Sequence, residues 1–440
     1  MTSSGGARSP VLPGGLSFSS DERLALELDA ADPLAGMRRE FELPAASGGE
    51  PLVYLLGNSL GAMPRAARTE VETILDQWPE FGVEGWEDAP TPWMRYQETL
   101  CEPLARVIGG RPDEVVTMNT LTVNLHLMLA SFYRPTGRRV KVLMEEKPFP
   151  SDLYAVGSHL RLRGVDPNDA VLFARPRRGE AYVRTEDLTA LIAELGAELA
   201  LVLLGGVNYY SGQWFDLAAV TNAAHRAGGL AGFDLAHAIG NVPLALHDWE
   251  VDFAVWCSYK YLNGGPGAIG GAFVHERHGR DPGVPRLAGW WGNDPETRFA
   301  MRPGFDAQPG AGGWQVSTPP VLAIAPLRAS LALFEQVGMP ALRRKSEALT
   351  GYLDSLLAAI PGSPVRVLTP RDPASRGCQL SLLVPGRGQE VHRRLRECGI
   401  VADYREPDVI RMAPVPFYNG YHECWRTARA VRDVLAPPGA

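Results

Sequence analysis

The chain is poor in cysteine, with five in 440 residues, at Cys101, Cys257, Cys378, Cys398 and Cys424. The number is odd, the spacing is wide and no CxxC pair occurs. A disulfide framework and a cysteine-rich zinc site are therefore not expected, and a reducing cytoplasm fits. Long apolar runs are also missing. No stretch approaches the roughly 20 residues that span a bilayer, and no apolar segment precedes a plausible cleavage site near the N-terminus, so neither a membrane partner nor a signal peptide is expected. Dense Lys/Arg runs are absent, and a net charge of −7 argues against nucleic acid or an acidic membrane surface as partner. What is present is the composition of a soluble globular protein, 45% hydrophobic and 21% charged. The chain is long enough for one large domain and a smaller one.

Residues 1–20 are rich in Ser, Gly and Pro and read as a disordered tail. Residues 21–53 have helically spaced leucines broken near Pro33, which predicts an N-terminal helical segment. Across 54–320, apolar runs alternate with amphipathic helical patterns. The runs are Val140–Met144, Val171–Ala174, Leu199–Leu204, Leu230–Phe233, Phe253–Cys257 and Ile269–Val274, and helical spacing recurs near 152–163, 185–196 and 217–228. This predicts an α/β domain, a mostly parallel sheet covered by helices on both faces. In such sheets chemistry gathers at the carboxyl ends of the strands. After Pro319-Pro320 the texture changes to two long helices, near 321–337 and 340–359, followed by short strands near 365–368, 378–384 and 409–412. The stretch 321–440 reads as a smaller C-terminal α+β domain.

Two familiar motifs occur in unsuitable settings. Gly265-Pro266-Gly267-Ala268-Ile269-Gly270 matches GxGxxG, but a strand-like run follows it where a dinucleotide site needs a helix. Gly57-Asn58-Ser59-Leu60-Gly61 matches the GxSxG elbow, with Asp234 and His237 later in hydrolase order. Only one strand precedes that serine, and an Asp and a His three apart leave little room for a base and its orienter.

A broader constellation lies at the predicted strand ends. Asn119–Thr122 opens an apolar helix whose free N–H groups and hydroxyl suit a phosphate, although alone it reads as an ordinary cap. Phe149-Pro150-Ser151-Asp152 offers an aromatic face beside a carboxylate. Asp234 ends one strand, with His237 just beyond, and Lys260 follows the next strand. Taken singly, Lys260 reads as a lysine whose stem covers apolar surface. Together, a lysine, a carboxylate, an aromatic plate and a phosphate cradle are the parts that hold pyridoxal phosphate, with the lysine forming the Schiff base and the carboxylate keeping the ring nitrogen protonated.

From about Tyr54 to the last helix, the chain resembles the kynureninase family, of the aspartate-aminotransferase fold type I. The residues that carry the resemblance are LGNSLG (56–61), MNTLTVNLHLML (118–129), FPSD (149–152), the long run GFDLAHAIGNVPLALHDWEVDFAVWCSYKYLNGGPGAIGGAF (232–273) and RMAPVPFYN (411–419). The resemblance implies Lys260 as the Schiff-base lysine, Asp234 on the ring nitrogen, His237 and Asp152 around the ring and its hydroxyl, and Phe149 stacked upon it. It further implies that Leu121, Thr122, Tyr259 and Trp290 hold the phosphate, with Gly205 nearby. Arg411 is implied at the substrate α-carboxylate, Tyr259 in proton transfer, and Ser59 in the substrate pocket.

The implied reaction is hydrolytic Cβ–Cγ cleavage of L-kynurenine to anthranilate and L-alanine, in tryptophan catabolism by the kynurenine pathway or in NAD biosynthesis. The implied assembly is a homodimer with shared active sites, in which Trp290 and Thr318 act across the interface. No metal is implied. Animal-type members carry His at the position of Trp86 and Ser-Asn at 317–318, whereas bacterial-type members carry Trp and Gly-Thr. This chain has Trp86, Ser317 and Thr318. Indole is a donor only and cannot accept from a ring hydroxyl, so unsubstituted kynurenine is the expected substrate. The alternatives are 3-hydroxykynurenine or another ring-substituted kynurenine, then a pyridoxal phosphate-dependent desulfurase or aminotransferase, then a serine hydrolase through Ser59.

Overall fold

The computed structural model describes residues 18–436. The tail expected over 1–20 lies outside these residues except for its last three. The chain forms two compact units. The larger comprises Leu60–Tyr209 and Gln213–Met339, and the smaller comprises the chain up to Ser59, Tyr210–Gly212 and the stretch from Pro340 onward.

These units divide the chain differently from the sequence pattern, for reasons of packing. Helix Glu22–Ala30 buries Leu24, Ala25 and Leu28 in the same apolar cluster as Leu349, Leu353 and Tyr421, so residues 21–53 go with the C-terminal chain. Val53–Tyr54 pairs in parallel with Ile400–Val401. Helix Val321–Val337 buries Ile324, Leu327 and Leu331, and Arg328 reaches Glu70 on helix Ala66–Phe81 at 3.1 Å. That helix therefore belongs to the larger unit, although it follows the Pro-Pro punctuation.

The larger unit is built on a seven-stranded sheet. In chain order its strands are β1 (Val115–Thr117), β2 (Lys141–Glu145), β3 (Val171–Ala174), β4 (Leu199–Gly205), β5 (Leu230–Asp234), β6 (Phe253–Cys257) and β7 (Gly270–Val274). Their spatial order is β1-β7-β6-β5-β4-β2-β3. Strands β3, β2, β4, β5 and β6 run parallel to one another, and β7 runs antiparallel to both β6 and β1. Strands β6 and β7 are buried at every position, which explains why they read as unbroken apolar runs. Strand β1 is only three residues long, too short to show any periodicity, and its place is decided by pairing with β7.

The smaller unit carries a four-stranded antiparallel sheet of Arg366–Val367, Leu380–Leu383, Val409–Met412 and Asp403–Arg405, in that order. Helix Tyr421–Leu435 shares its apolar cluster. Among the described residues, no single helix is long and apolar enough to cross a membrane.

Candidate active site

The parallel strands end in a row of functional side chains. Glu145 closes β2, Gly205 closes β4 and Asp234 closes β5, and the chain leaving β6 turns through Ser258 and Tyr259 to Lys260. Gly205 lies directly across from Asp234 in the β4–β5 register, and Asp234 lies across from Val255 in β5–β6. Parallel pairing thus brings together residues far apart in sequence.

Lys260 Nζ lies 2.9 Å from His237 Nε2. It also lies 5.7 Å from the Phe149 ring centroid and 6.0 Å from that of Tyr259. Phe149 meets Tyr209 edge-on, with ring centroids 5.4 Å apart, and remains 42% exposed, so one aromatic face is available. Its position is set by the start of helix Pro150–Leu162, where Phe149 is the N-cap residue and Pro150 is tolerated in the first turn.

Two helix N-termini meet beside the lysine. Thr122, in the first turn of helix Leu121–Phe132, and Ser151, in the first turn of Pro150–Leu162, bring their hydroxyls within 2.8 Å of each other. Both helix starts present the positive end of a dipole; at the second, Pro150 has no N–H and the Asp152 N–H donates to the Phe149 carbonyl at 3.0 Å, which leaves the Ser151 N–H and hydroxyl as its donors. Close backbone approach is part of this geometry: a Cβ on Gly270 would lie 3.1 Å from the Leu121 nitrogen. Nothing in the pattern FPSD marks Ser151, and only the tertiary pairing of the two helix starts distinguishes it from an ordinary first-turn serine.

Three carboxylates are buried at these strand and helix ends, Asp234, Asp152 and Glu145, and Lys260 acts on the first two. Burial pushes the Asp152 carboxyl well above its usual range, and the Asp234 and Glu145 charges add to this. Asp234 is raised by burial, against the pull of Lys260 and the Ala236 N–H, which donates to Asp234 Oδ1 at 2.8 Å. Burial pushes Glu145 up to about 7. Burial and the neighbouring Cys257 raise the Tyr259 phenol, which keeps its proton at neutral pH.

This donor set fits pyridoxal phosphate. Asp152 Oδ1 is buried with no hydrogen-bond partner, so it lacks a donor that a ring substituent would supply. Asp234, the carboxylate that Lys260 and the Ala236 N–H favour in its ionised form, is the partner a protonated pyridine nitrogen would need. The paired helix starts suit a dianion.

The other expected residues fall in two places. Within the larger unit, Trp86 packs edge-on to Trp93 (6.0 Å) and tilted to Trp291 (6.4 Å). Trp290 meets Phe299 edge-on and is 45% exposed, and Ser317 and Thr318 are exposed. Within the smaller unit, Arg411 is buried and pairs with Asp403 on the adjacent strand, while Ser59 is exposed in the turn after Val53–Tyr54. Neither coincidental motif gains support. Gly265, Gly267 and Gly270 lead into β7 and open no helix. The strand before Ser59 belongs to a two-stranded pair, and six residues, including the short strand Met63–Pro64, separate Ser59 from helix Ala66–Phe81.

Comparison with known proteins agrees with this geometry. Residues 342–431 match the Kynureninase C-terminal domain family. The kynureninase of Myxococcus xanthus is 54% identical over 414 residues, covering 94% of this chain and 97% of that protein. The kynureninase of Salinispora tropica is 54% identical over 416 residues, covering 93% and 96%. Among solved structures, the cystine C–S lyase C-DES, with glycine covalently linked to its pyridoxal phosphate, superposes with a TM-score of 0.74 at 19% identity, covering 90% of this chain and 98% of that one. The cysteine desulfurase of Thermococcus onnurineus superposes with a TM-score of 0.72 at 16% identity, covering 87% and 94%. These structures share the fold type I architecture.

Proposed function

The chain belongs to the kynureninase family, as a pyridoxal phosphate-dependent hydrolase that cleaves the Cβ–Cγ bond of L-kynurenine to anthranilate and L-alanine, and we propose which of its residues carry each part of that reaction. The carrying observation is Lys260, 2.9 Å from His237, acting on the buried carboxylates Asp152 and Asp234, with an aromatic face beside it. Pyridoxal phosphate, when bound, supplies the electron sink for the pair left on the substrate's carbon.

Lys260 Nζ would hold the cofactor covalently and, once the substrate's amine has replaced it there, its free amine would take the proton from the substrate's Cα. Asp234, fixed by the Ala236 N–H, keeps the ring nitrogen protonated. Thr122, Ser151 and the Leu121 backbone receive the phosphate at the two helix starts, with Tyr259 and Trp290. Phe149 covers the ring face, Gly205 lets the ring approach the backbone, and His237 and Asp152 meet the ring's oxygen. Tyr259, protonated at neutral pH, is the donor to the carbon left when Cβ–Cγ breaks. Arg411 grips the α-carboxylate, with its guanidinium plane set by Asp403. Ser59, Trp86, Ser317 and Thr318 complete the substrate pocket.

A homodimer with shared active sites is supported by the apolar surface on 287–301, where Leu287, Trp290, Phe299 and Met301 are 45–70% exposed. Trp290 and Thr318 act across that interface, and sedimentation of the purified enzyme tests the assembly. A cytoplasmic place in tryptophan catabolism or NAD biosynthesis is part of this proposal, and the few, widely spaced cysteines are compatible with it.

Trp86 favours unsubstituted kynurenine, because indole stacks on the aniline ring but offers no acceptor to a 3-hydroxyl. Release of anthranilate from kynurenine by the purified enzyme tests the assignment. The Lys260→Ala variant should be inactive, and an active one overturns the role of Lys260. An equal or greater kcat/KM on 3-hydroxykynurenine overturns the substrate preference.

A further inference from the structure

Glu145 has no part in the reaction as assigned above. It ends β2 and is 3% exposed, and both its oxygens face the Gly205 N–H, at 3.2 and 3.3 Å. Its own N–H and the Asn208 side chain also act on the carboxylate. Even so, a buried carboxylate is costly unless a cation stands near it. The groups around it are Asp234 after β5, Asp152 on helix Pro150–Leu162, Asn208 after β4, and, around those carboxylates, Lys260 and His237. Lys260 is the ammonium that acts on Asp152 and Asp234, and Glu145 stands behind Asp234.

We propose that Glu145 is a positioning residue for the cofactor: it holds the end of β4 through Gly205, and its negative charge, behind that of Asp234, helps keep the ring nitrogen protonated. The proposal rests on the cofactor site described above and extends it to a residue that does not touch the ring. Its geometry serves both functions. Gly205 is paired with Asp234 across the β4–β5 register, and the Gly206 N–H donates to the Asp234 carbonyl at 2.7 Å, so a carboxylate that fixes Gly205 also fixes the main chain carrying Asp234. A Cβ at residue 205 would lie 3.1 Å from Glu145 Oε1, so the carboxylate and the bare glycine backbone form one contact surface.

Substitution separates the charge from the scaffold role. Glu145→Gln retains an acceptor for the Gly205 N–H and removes the charge. Losing a nearby anion lowers the proton affinity of a cationic group. The ring-nitrogen 15N chemical shift of holoenzyme loaded with 15N-labelled cofactor, followed against pH in the absence of substrate, should therefore change at a midpoint lower by on the order of one pH unit. Glu145→Met removes the same charge without burying an amide and should give the same downward shift, so it carries the test if the Gln variant does not fold. A purely structural Glu145 would leave the midpoint of a folded, cofactor-loaded variant within about 0.2 pH units of the parent, which is less than any charge effect at this range. That result, or an upward shift, overturns the proposal. Because the readout is a spectrum and not turnover, it is independent of whether Lys260 takes the Cα proton.

Discussion

Gly61→Ala probes the site at its backbone. The Gly61 N–H donates to the Tyr259 carbonyl at 2.8 Å, which ties this strand-less segment to the turn that carries Lys260. A Cβ at residue 61 would lie 2.3 Å from the Lys260 carbonyl oxygen, 2.3 Å from Asn263 Oδ1 and 2.9 Å from Asn263 Cα. An ordinary non-bonded contact is about 3.5 Å, so about 1 Å of movement is required. Asn263 cannot absorb it: it is fully buried, and its N–H donates to the Lys260 carbonyl at 3.0 Å. The displacement must pass into the Lys260 turn. Overpacking of this kind costs about 1–3 kcal/mol of stability, and misplacing a reacting group by about 1 Å lowers kcat by about 100-fold. The assay pairs urea unfolding of the holoenzyme with the rate of anthranilate release. Gly36→Ala, where a Cβ meets nothing within 4 Å, is the control and should change neither. A Gly61→Ala enzyme with kcat within about twofold of the parent would refute the claim that this contact positions Lys260.

Other perturbations test the frame around the site. Asp252, at the amino end of β6, is pushed up by burial, but bonds from His225 (2.8 Å), His278 (2.7 Å) and Arg277 (2.6 Å) outweigh this and hold its carboxyl well below the usual range. Asp252→Asn should cost about 3 kcal/mol at neutral pH by urea unfolding. Because the folded group stays ionised where the unfolded one protonates, the deficit should shrink as pH falls below about 4. In the smaller unit, Lys345 Nζ pairs with Asp32 Oδ2 at 2.7 Å, with side chains 6% and 5% exposed. Lys345→Met should cost about 3–5 kcal/mol, and adding Asp32→Leu should recover most of it; a single variant as stable as the parent contradicts the buried pair. Arg411→Lys should raise KM for kynurenine by about 10–100-fold through loss of a bidentate contact, and an unchanged KM argues against the carboxylate assignment.

Much of the sheet was legible because strands buried on both faces leave no choice of residue: FAVWC and the apolar run before His275 can only be interior strands. Strand β1 and the short strands Ile400–Val401 and Asp403–Arg405 were not legible. Two or three residues show no period, and their conformation is decided by the neighbour they pair with. The unit boundaries were misleading for a related reason. Pro319-Pro320 marks a break in the local chain, yet the helix after it is held by Ile324 and Leu327 in the larger unit, and compactness follows contacts instead of punctuation.

The amino-acid order by itself determined the residue types of the site. Lys260, Asp234, Phe149 and Thr122 stand where strands end or helices begin, and local pattern is enough to mark those places. It also determined the family, because the stretch 232–273 is long and specific. Only the tertiary structure decided the charge balance. That Asp152, Asp234 and Glu145 lose water together at these strand and helix ends, and that Thr122 meets Ser151, depends on parallel pairing of strands dozens of residues apart. Burial is a property of the assembled sheet, and it is burial that turns ordinary carboxylates into groups whose proton affinities depend on one another.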